Sequence, residues 1–141
     1  MVEKANLSDV VITAASGTTG AGRNAKINLL GSEVMNSLSA YKVGGVHQHT
    51  PEIEQALTAL TGSEVRLSFT PFLAPMPRGI LASVSVPVTG VSLAEIRDLF
   101  SALYLKENFI HILPEGLWPQ TNSLIGSNGV QLQVRSEEQH V

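Results

Sequence analysis

Ile80-Leu81-Ala82-Ser83-Val84-Ser85-Val86-Pro87-Val88 is the clearest strand in the chain. Alternation at a period of two puts Ile80, Ala82, Val84, Val86 and Val88 on one face and Ser83 and Ser85 on the other. A sheet with one polar face follows. Pro87 has no N–H for a ladder, so this end of the strand is expected at a sheet edge. Upstream, Val65, Leu67 and Phe69 alternate with Arg66, Ser68 and Thr70 as a second, half-buried strand. Pro71, Pro75 and Pro77 are then expected to break regular pairing. Val10 to Ala14 is a short β-branched run suited to a buried strand. Downstream, Phe109 to Leu113 reads as a short strand, and Val130, Leu132 and Val134 alternate with Gln131, Gln133 and Arg135 as the last one.

Helical signals fall between these strands. Thr50-Pro51-Glu52 predicts a helix start, with Thr50 as the cap, Pro51 at the first helical position and Glu52 against the positive end of the helix. Ile53, Ala56, Leu57 and Leu60 share one face, and Gly62 is placed to end the helix. Ser92 followed by Glu95 makes a capping-box pattern ahead of an apolar stripe of Ile96, Leu99, Phe100 and Leu103. Two helices on one face of a mixed, largely antiparallel sheet give an α+β fold in a single domain, residues 1–141. Glu137, Glu138 and Gln139 read as a turn after an outgoing strand with no return segment, so the domain is expected to be truncated.

The 141 residues are 43% apolar, enough for one buried core. Nine Lys and Arg against 12 Asp and Glu leave a net charge of −3, and no stretch concentrates basic residues, which sets nucleic acid aside. No apolar run reaches the roughly 18 residues of a membrane span, and Val2, Glu3 and Lys4 do not lead into a signal-peptide core. A soluble cytoplasmic protein is expected. Cysteine is absent, which removes disulfides, thiolate metal sites and thiol catalysis from what this chain can do alone.

Two segments could carry chemistry. His47 and His49 stand immediately before a predicted helix, whose positive end favours a neutral imidazole and welcomes an anion, an arrangement suited to a general base. Paired histidines are also common on ordinary surfaces, so the spacing alone is weak. His111 lies in a strand and His140 near the end of the chain, so no metal cluster is evident. Ser16-Gly17-Thr18-Thr19-Gly20-Ala21-Gly22-Arg23 could wrap an anion if its backbone N–H groups converge, with Arg23 adding a bidentate bond to phosphate or carboxylate. It is neither a Walker loop nor a spaced dinucleotide fingerprint, and a plain Gly-rich connection fits it equally well. Arg78-Gly79 could present a second guanidinium. Ser127 has no adjacent acid or His, which leaves a serine-hydrolase triad without support.

In order and spacing these segments resemble the catalytic and dimerisation domain of the N-acetyl-gamma-glutamyl-phosphate reductase family. Ser16 to Arg23 is similar to that family's SGxSGAGR loop, with Thr19 where Ser is more usual. His47-Gln48-His49-Thr50-Pro51-Glu52-Ile53 resembles its HRHTPEI segment, with Gln48 in place of Arg. Ser68 to Pro71 and Pro75 to Leu81 resemble its FTPxLxPxxRGIL stretch, with Phe72 where His is frequent. Leu113-Pro114-Glu115-Gly116 and Gly126-Ser127-Asn128 match its LPEG and GSN signatures. The likeness runs from about Ser8 to about Val134.

The resemblance implies a domain like the C-terminal domain of glyceraldehyde-3-phosphate dehydrogenase. It also implies a step towards arginine in which NADPH reduces an acyl phosphate, N-acetylglutamyl phosphate, to a semialdehyde with release of phosphate. A cysteine attacks, the thioester takes hydride, and a histidine manages the protons. His49 is the acid-base choice because it directly precedes the helix cap; His47 could instead orient substrate, and the pair stays open. Arg23, Arg78, Tyr41, Ser16 and Gly17 would bind substrate or phosphate anion, and Gly20, Gly22 and Asn128 would lie near NADP. The family's nucleotide-binding domain and its cysteine motif precede the matched region. The domain is therefore expected to be inactive alone and to form a homo-oligomer through its sheet. A stand-alone anion-binding or oligomerisation module is the alternative, and a hydrolase using His49 and a water, oriented by Glu52 or Glu115, is a distant third.

Overall fold

The computed structural model describes residues 5–136. The expected readings at Val2 to Lys4, Glu137 to Gln139 and His140 lie outside them. Strand β1, Val10–Ser16, sits in the middle of a four-stranded sheet of order β2-β3-β1-β4. It runs parallel to β3 (Leu67–Leu73) and antiparallel to β4 (Ile80–Ser85), while the two-residue β2 (Ser39–Ala40) pairs antiparallel with the end of β3. Strands β5 (Ile110–Ile112) and β6 (Val130–Leu132) form a separate parallel pair. The α+β class and the mixed sheet stand as expected, with the late strands forming a small sheet of their own.

Facing positions across the ladders explain the two faces. Val10, Ile12 and Ala14 lie level with Leu67, Phe69 and Pro71, and α2, His49–Thr61, packs on the β3 side of this apolar face. Val10, Ala14 and Pro71 are buried there. The opposite face carries Val11, Thr13, Ser68 and Ser83, all exposed, so β1 is half-buried rather than fully buried. The helix does not shield β4: Ile80 and Val84, though on the apolar face, remain 65% and 51% exposed at the sheet edge. Strand β4 also stops at Ser85; after it Val88 forms an isolated antiparallel bridge with Ala5, and the Pro87 carbonyl accepts from the Asn6 amide at 2.8 Å.

Pro71 does not break pairing. It sits inside β3, fully buried. The N–H and C=O of one strand residue point to the same side, and the Pro71 carbonyl accepts from the Tyr41 amide at 3.2 Å. The missing donor therefore faces the short β2 side, and the ladder to β1 loses nothing.

Helix α2 is tied to β3 by side chains: Glu54 accepts from the Leu67 amide at 3.2 Å and Thr58 Oγ1 from the Val65 amide at 3.1 Å. Gly62, left-handed at φ 70°, ends it as expected. Its stripe is narrower than the sequence suggests, since Ile53 and Leu57 are half-buried while Leu60 is 82% exposed. Helix α3, Leu93–Leu103, opens with the predicted capping box, Ser92 and Glu95 each accepting from the other's backbone amide. Ile96 is buried, but Leu99 and Leu103 face solvent. Arg97 fastens this helix to the small sheet, donating to the Leu113 carbonyl at 3.0 Å and to Gln133 Oε1 and the Val134 carbonyl. The short α1, Gly31–Val34, buries Val34.

Candidate active site

The histidine segment leads into α2 along the outer edge of β3. Phe69 of β3 meets the His47 ring edge-on with centroids 5.1 Å apart, and Tyr41, just after β2, meets it at 5.6 Å. His47 is buried and His49 exposed, with 4.9 Å between their ring centroids. Thr50 is not the cap. The helix begins one residue earlier, at His49, and its N-cap Gln48 makes no side-chain cap bond. His47 takes the first amides instead: its Nδ1 accepts from the His49 amide at 3.2 Å and its carbonyl from the Thr50 amide at 3.0 Å. Pro51 falls within the first turn, where a missing N–H costs no helical bond. Burial lowers the pKa of His47, with positive charge on His49 and Lys42 acting in the same direction and Glu52 opposing. His49 Nε2 makes a long 3.5 Å contact with the side-chain Nε2 of Gln48, and its ring is exposed at the helix start.

The Gly-rich loop is arranged differently. The amides of Gly17, Thr18 and Thr19 donate to the carbonyls of Gly79, Met76 and Pro77, at 2.9, 2.9 and 3.1 Å. Those of Gly20 and Gly22 donate back to Gly17 and Thr19. The expected convergence of amides on an anion is therefore absent: the loop spends them on the proline-rich corner before β4. Gly17 is required by space, because a Cβ there would lie 2.9 Å from the Arg78 nitrogen. Ser16 Oγ turns to the Gly17 carbonyl, at 3.3 Å. Thr121 packs on Gly79, which brings the turn Thr121–Leu124 to the same corner. What remains for an anion is side-chain charge. Arg23 and Lys26 line one shallow cleft of about 310 Å³ with Thr18, Thr19, Asn24 and Leu30.

The structure thus brings together Tyr41, His47 and His49, and separately Ser16, Gly17 and the Arg78-Gly79 corner, with Arg23 on the cleft beyond. Because β1 and β3 are parallel, the loop leaves β1 at the end where β3 also finishes, two to four residues past Pro71 and Phe69. Both groups therefore flank the same end of the sheet.

A family model described as semialdehyde dehydrogenase, dimerisation domain, matches residues 1–141. The chain belongs to this family. Among curated relatives of this semialdehyde dehydrogenase dimerisation domain, N-acetyl-gamma-glutamyl-phosphate reductase of Acidothermus cellulolyticus is 59% identical over 92% of the chain, and that of Renibacterium salmoninarum 54% over 92%. The chain spans 38% of the length of each. A probable aspartate-semialdehyde dehydrogenase from Pseudomonas aeruginosa superposes with a TM-score of 0.68 at 19% identity, covering 97% of this chain and 47% of that one. Aspartate semialdehyde dehydrogenase II of Vibrio cholerae gives 0.68 at 10% identity, over 92% and 44%. These two likenesses establish the shared fold.

In this dimerisation domain Gly20 and Gly22, expected as nucleotide contacts, lie in the loop after β1, and Asn128, expected as a third, lies before β6. The first two have committed their amides within the loop, and Asn128 is exposed in the turn before β6. Among the described residues no group of three His, Cys, Asp or Glu is placed to hold a metal, and no helix is long and apolar enough to cross a membrane. Lys26 was missed in the sequence because it belongs to no motif. Gln133 was also missed; a polar residue in an alternating strand reads as solvent-facing, yet its Nε2 donates to the carbonyls of Pro114 and Leu117 at 2.8 and 2.7 Å and pins the LPEG loop.

Proposed function

We propose that the chain is the substrate-binding and dimerisation domain of an N-acetyl-gamma-glutamyl-phosphate reductase, with His49 as its acid-base residue. The observation that carries this reading is the identity above 50% with such reductases along nine-tenths of the chain. The exposed imidazole at the start of α2 supplies a group able to protonate a departing or newly formed oxygen. Arg23, with Arg78, Ser16, Gly17 and Tyr41, would bind the substrate's phosphate and carboxylates, and Lys26 adds a second cation to Arg23's cleft. The thiolate of the reaction would be held outside these residues, for the chain has no cysteine, and NADPH would be bound by the rest of a full-length reductase, near Gly20, Gly22 and Asn128. A cytoplasmic location goes with this reading.

The test joins this domain to the nucleotide-binding and cysteine-bearing part of a full-length reductase and follows NADPH oxidation with N-acetylglutamyl phosphate. His49→Ala is expected to lower kcat by about 10²–10⁴-fold. The 141 residues alone should show no turnover; a rate on the order of 1 per second would overturn the reading. Self-association through the sheet is supported by the open β4 edge and by Ile80, Leu81 and Val84 exposed along it. Sedimentation showing a monomer at high concentration would remove it.

A stand-alone anion-binding module is the second reading, favoured by the Arg23–Lys26 cleft. Phosphate binding by the isolated chain, lost in Arg23→Ala, together with no rate in the joined protein, would select it. The hydrolase reading loses one orienting carboxylate, since Glu115 pairs with Arg135.

A further inference from the structure

We infer that His47 is a positioning residue: its imidazole replaces the absent N-cap side chain of α2 and, by holding the His49 amide, sets where the His49 ring stands. For its chemistry the inference rests on the reductase reading; for its geometry it does not.

A helix start leaves four amides without helical partners, and Ser, Thr, Asp or Asn normally caps one of them. Here both obvious candidates fail. Gln48 makes no cap bond, and Thr50 Oγ1 is buried with no hydrogen-bond partner. The amides of His49 and Thr50 go instead to the ring and the carbonyl of His47. One residue therefore satisfies two donors at the place where the sequence offers a proton-exchanging ring.

A ring nitrogen that accepts an N–H carries no proton, so neutral His47 must bear its hydrogen on Nε2. A doubly protonated ring has no acceptor left, and the cap is lost with it. The surroundings keep the ring neutral. It is buried; β3 offers it Phe69, the segment after β2 offers Tyr41 and Lys42, and α2 offers His49 and Glu52. Of the charged groups only Glu52 favours the imidazolium, and Lys42 and a protonated His49 oppose it. With Nδ1 occupied and the ring enclosed, His47 is poorly placed to exchange protons with substrate. His49, on the next turn outward, is free to do so.

The experiment compares wild type, His47→Asn, His47→Ala and His49→Asn in the joined full-length reductase, measuring kcat and KM across pH. Asn keeps a short side-chain oxygen able to accept the amide but cannot titrate. We expect His49→Asn to lose about 10²–10⁴-fold in kcat, His47→Ala to lose on the order of tenfold or more, and His47→Asn to recover most of that loss and to hold its kcat further into acid than wild type, because its cap cannot be lost to protonation. If His47→Asn falls as far as His49→Asn, His47 is itself the acid-base group and the proposal is overturned. Should wild type show no reductase activity, the reductase reading fails, and nitrogen-15 NMR of the 141-residue chain decides this one. Neutral His47 protonated on Nε2, with the His49 amide resonance moving as His47 titrates, supports it; a proton on Nδ1, or an indifferent His49 amide, overturns it.

Discussion

The loop after β1 and the turn before α2 both solve the problem of backbone amides at the end of a strand or the start of a helix, and they solve it in opposite ways. The loop at Ser16 to Arg23 works mainly through backbone: the amides of Gly17, Thr18 and Thr19 meet the carbonyls of residues 76–79, Thr19 Oγ1 adds a bond to the Pro77 carbonyl at 2.6 Å, and Gly17 leaves no room for a Cβ. The turn at His47 to Thr50 uses a ring, enclosed by two aromatic neighbours. A glycine-rich run is thus the rigid brace of this molecule, and the titratable segment is the one whose integrity depends on protonation.

The sharpest way to break this contrast is Gly17→Ala. Its new methyl would press on Arg78 backbone atoms 2.9–3.0 Å away, and overpacking of this kind costs about 1–3 kcal/mol. Urea denaturation should show that loss; an unchanged midpoint would mean that the corner gives way and is no brace. His47→Ala should cost about 1–2 kcal/mol, the range for a lost cap, with His47→Asn restoring part of it. Acid should act on the turn and spare the loop. His47 has a folded-state pKa below the ordinary 6.5, so its neutral form is the one folding favours. That contribution is complete above about pH 6.5 and is lost as the pH falls through the folded pKa. Denaturation midpoints of wild type should therefore drop in that window more than those of His47→Asn; parallel curves would refute the assignment. The smallest effect is expected at Arg23→Ala: stability within about 0.5 kcal/mol, because the side chain is exposed, while phosphate affinity measured by calorimetry falls.

Much of the fold was legible in residues that repeat. The alternation of Ile80, Ala82 and Val84 with Ser83 and Ser85 read correctly as a strand with a polar side, and Ser92 with Glu95 marked a helix start where one exists. Burial was less legible. The alternation says which residues share a face, but not that α2 covers β3 and leaves β4 bare. Pro71 was misread because a proline's cost depends on which neighbour its missing N–H would have served, and that neighbour is a two-residue strand some thirty positions away. At the site, the types and places of His47, His49, Tyr41 and Arg23 were visible from motifs. The direction of the Gly-loop amides and the exchange of roles between Thr50 and His47 were not, since both depend on distant segments: the 76–79 corner in one case, Tyr41 and Phe69 in the other.

The parallel pairing of β1 with β3 also fixes the order in which this site can come into being. Every partner in that ladder lies 57 positions from the other, as Leu67 does from Val10. Both histidines, Tyr41 and Arg23 belong to the loop that the pairing closes. Closing it carries an entropic cost before any contact repays it, and such non-local ladders form slowly. The cap on the His49 amide joins near neighbours and needs no ladder, whereas Arg23 and the two histidines come to share one end of the sheet only when β3 lies beside β1.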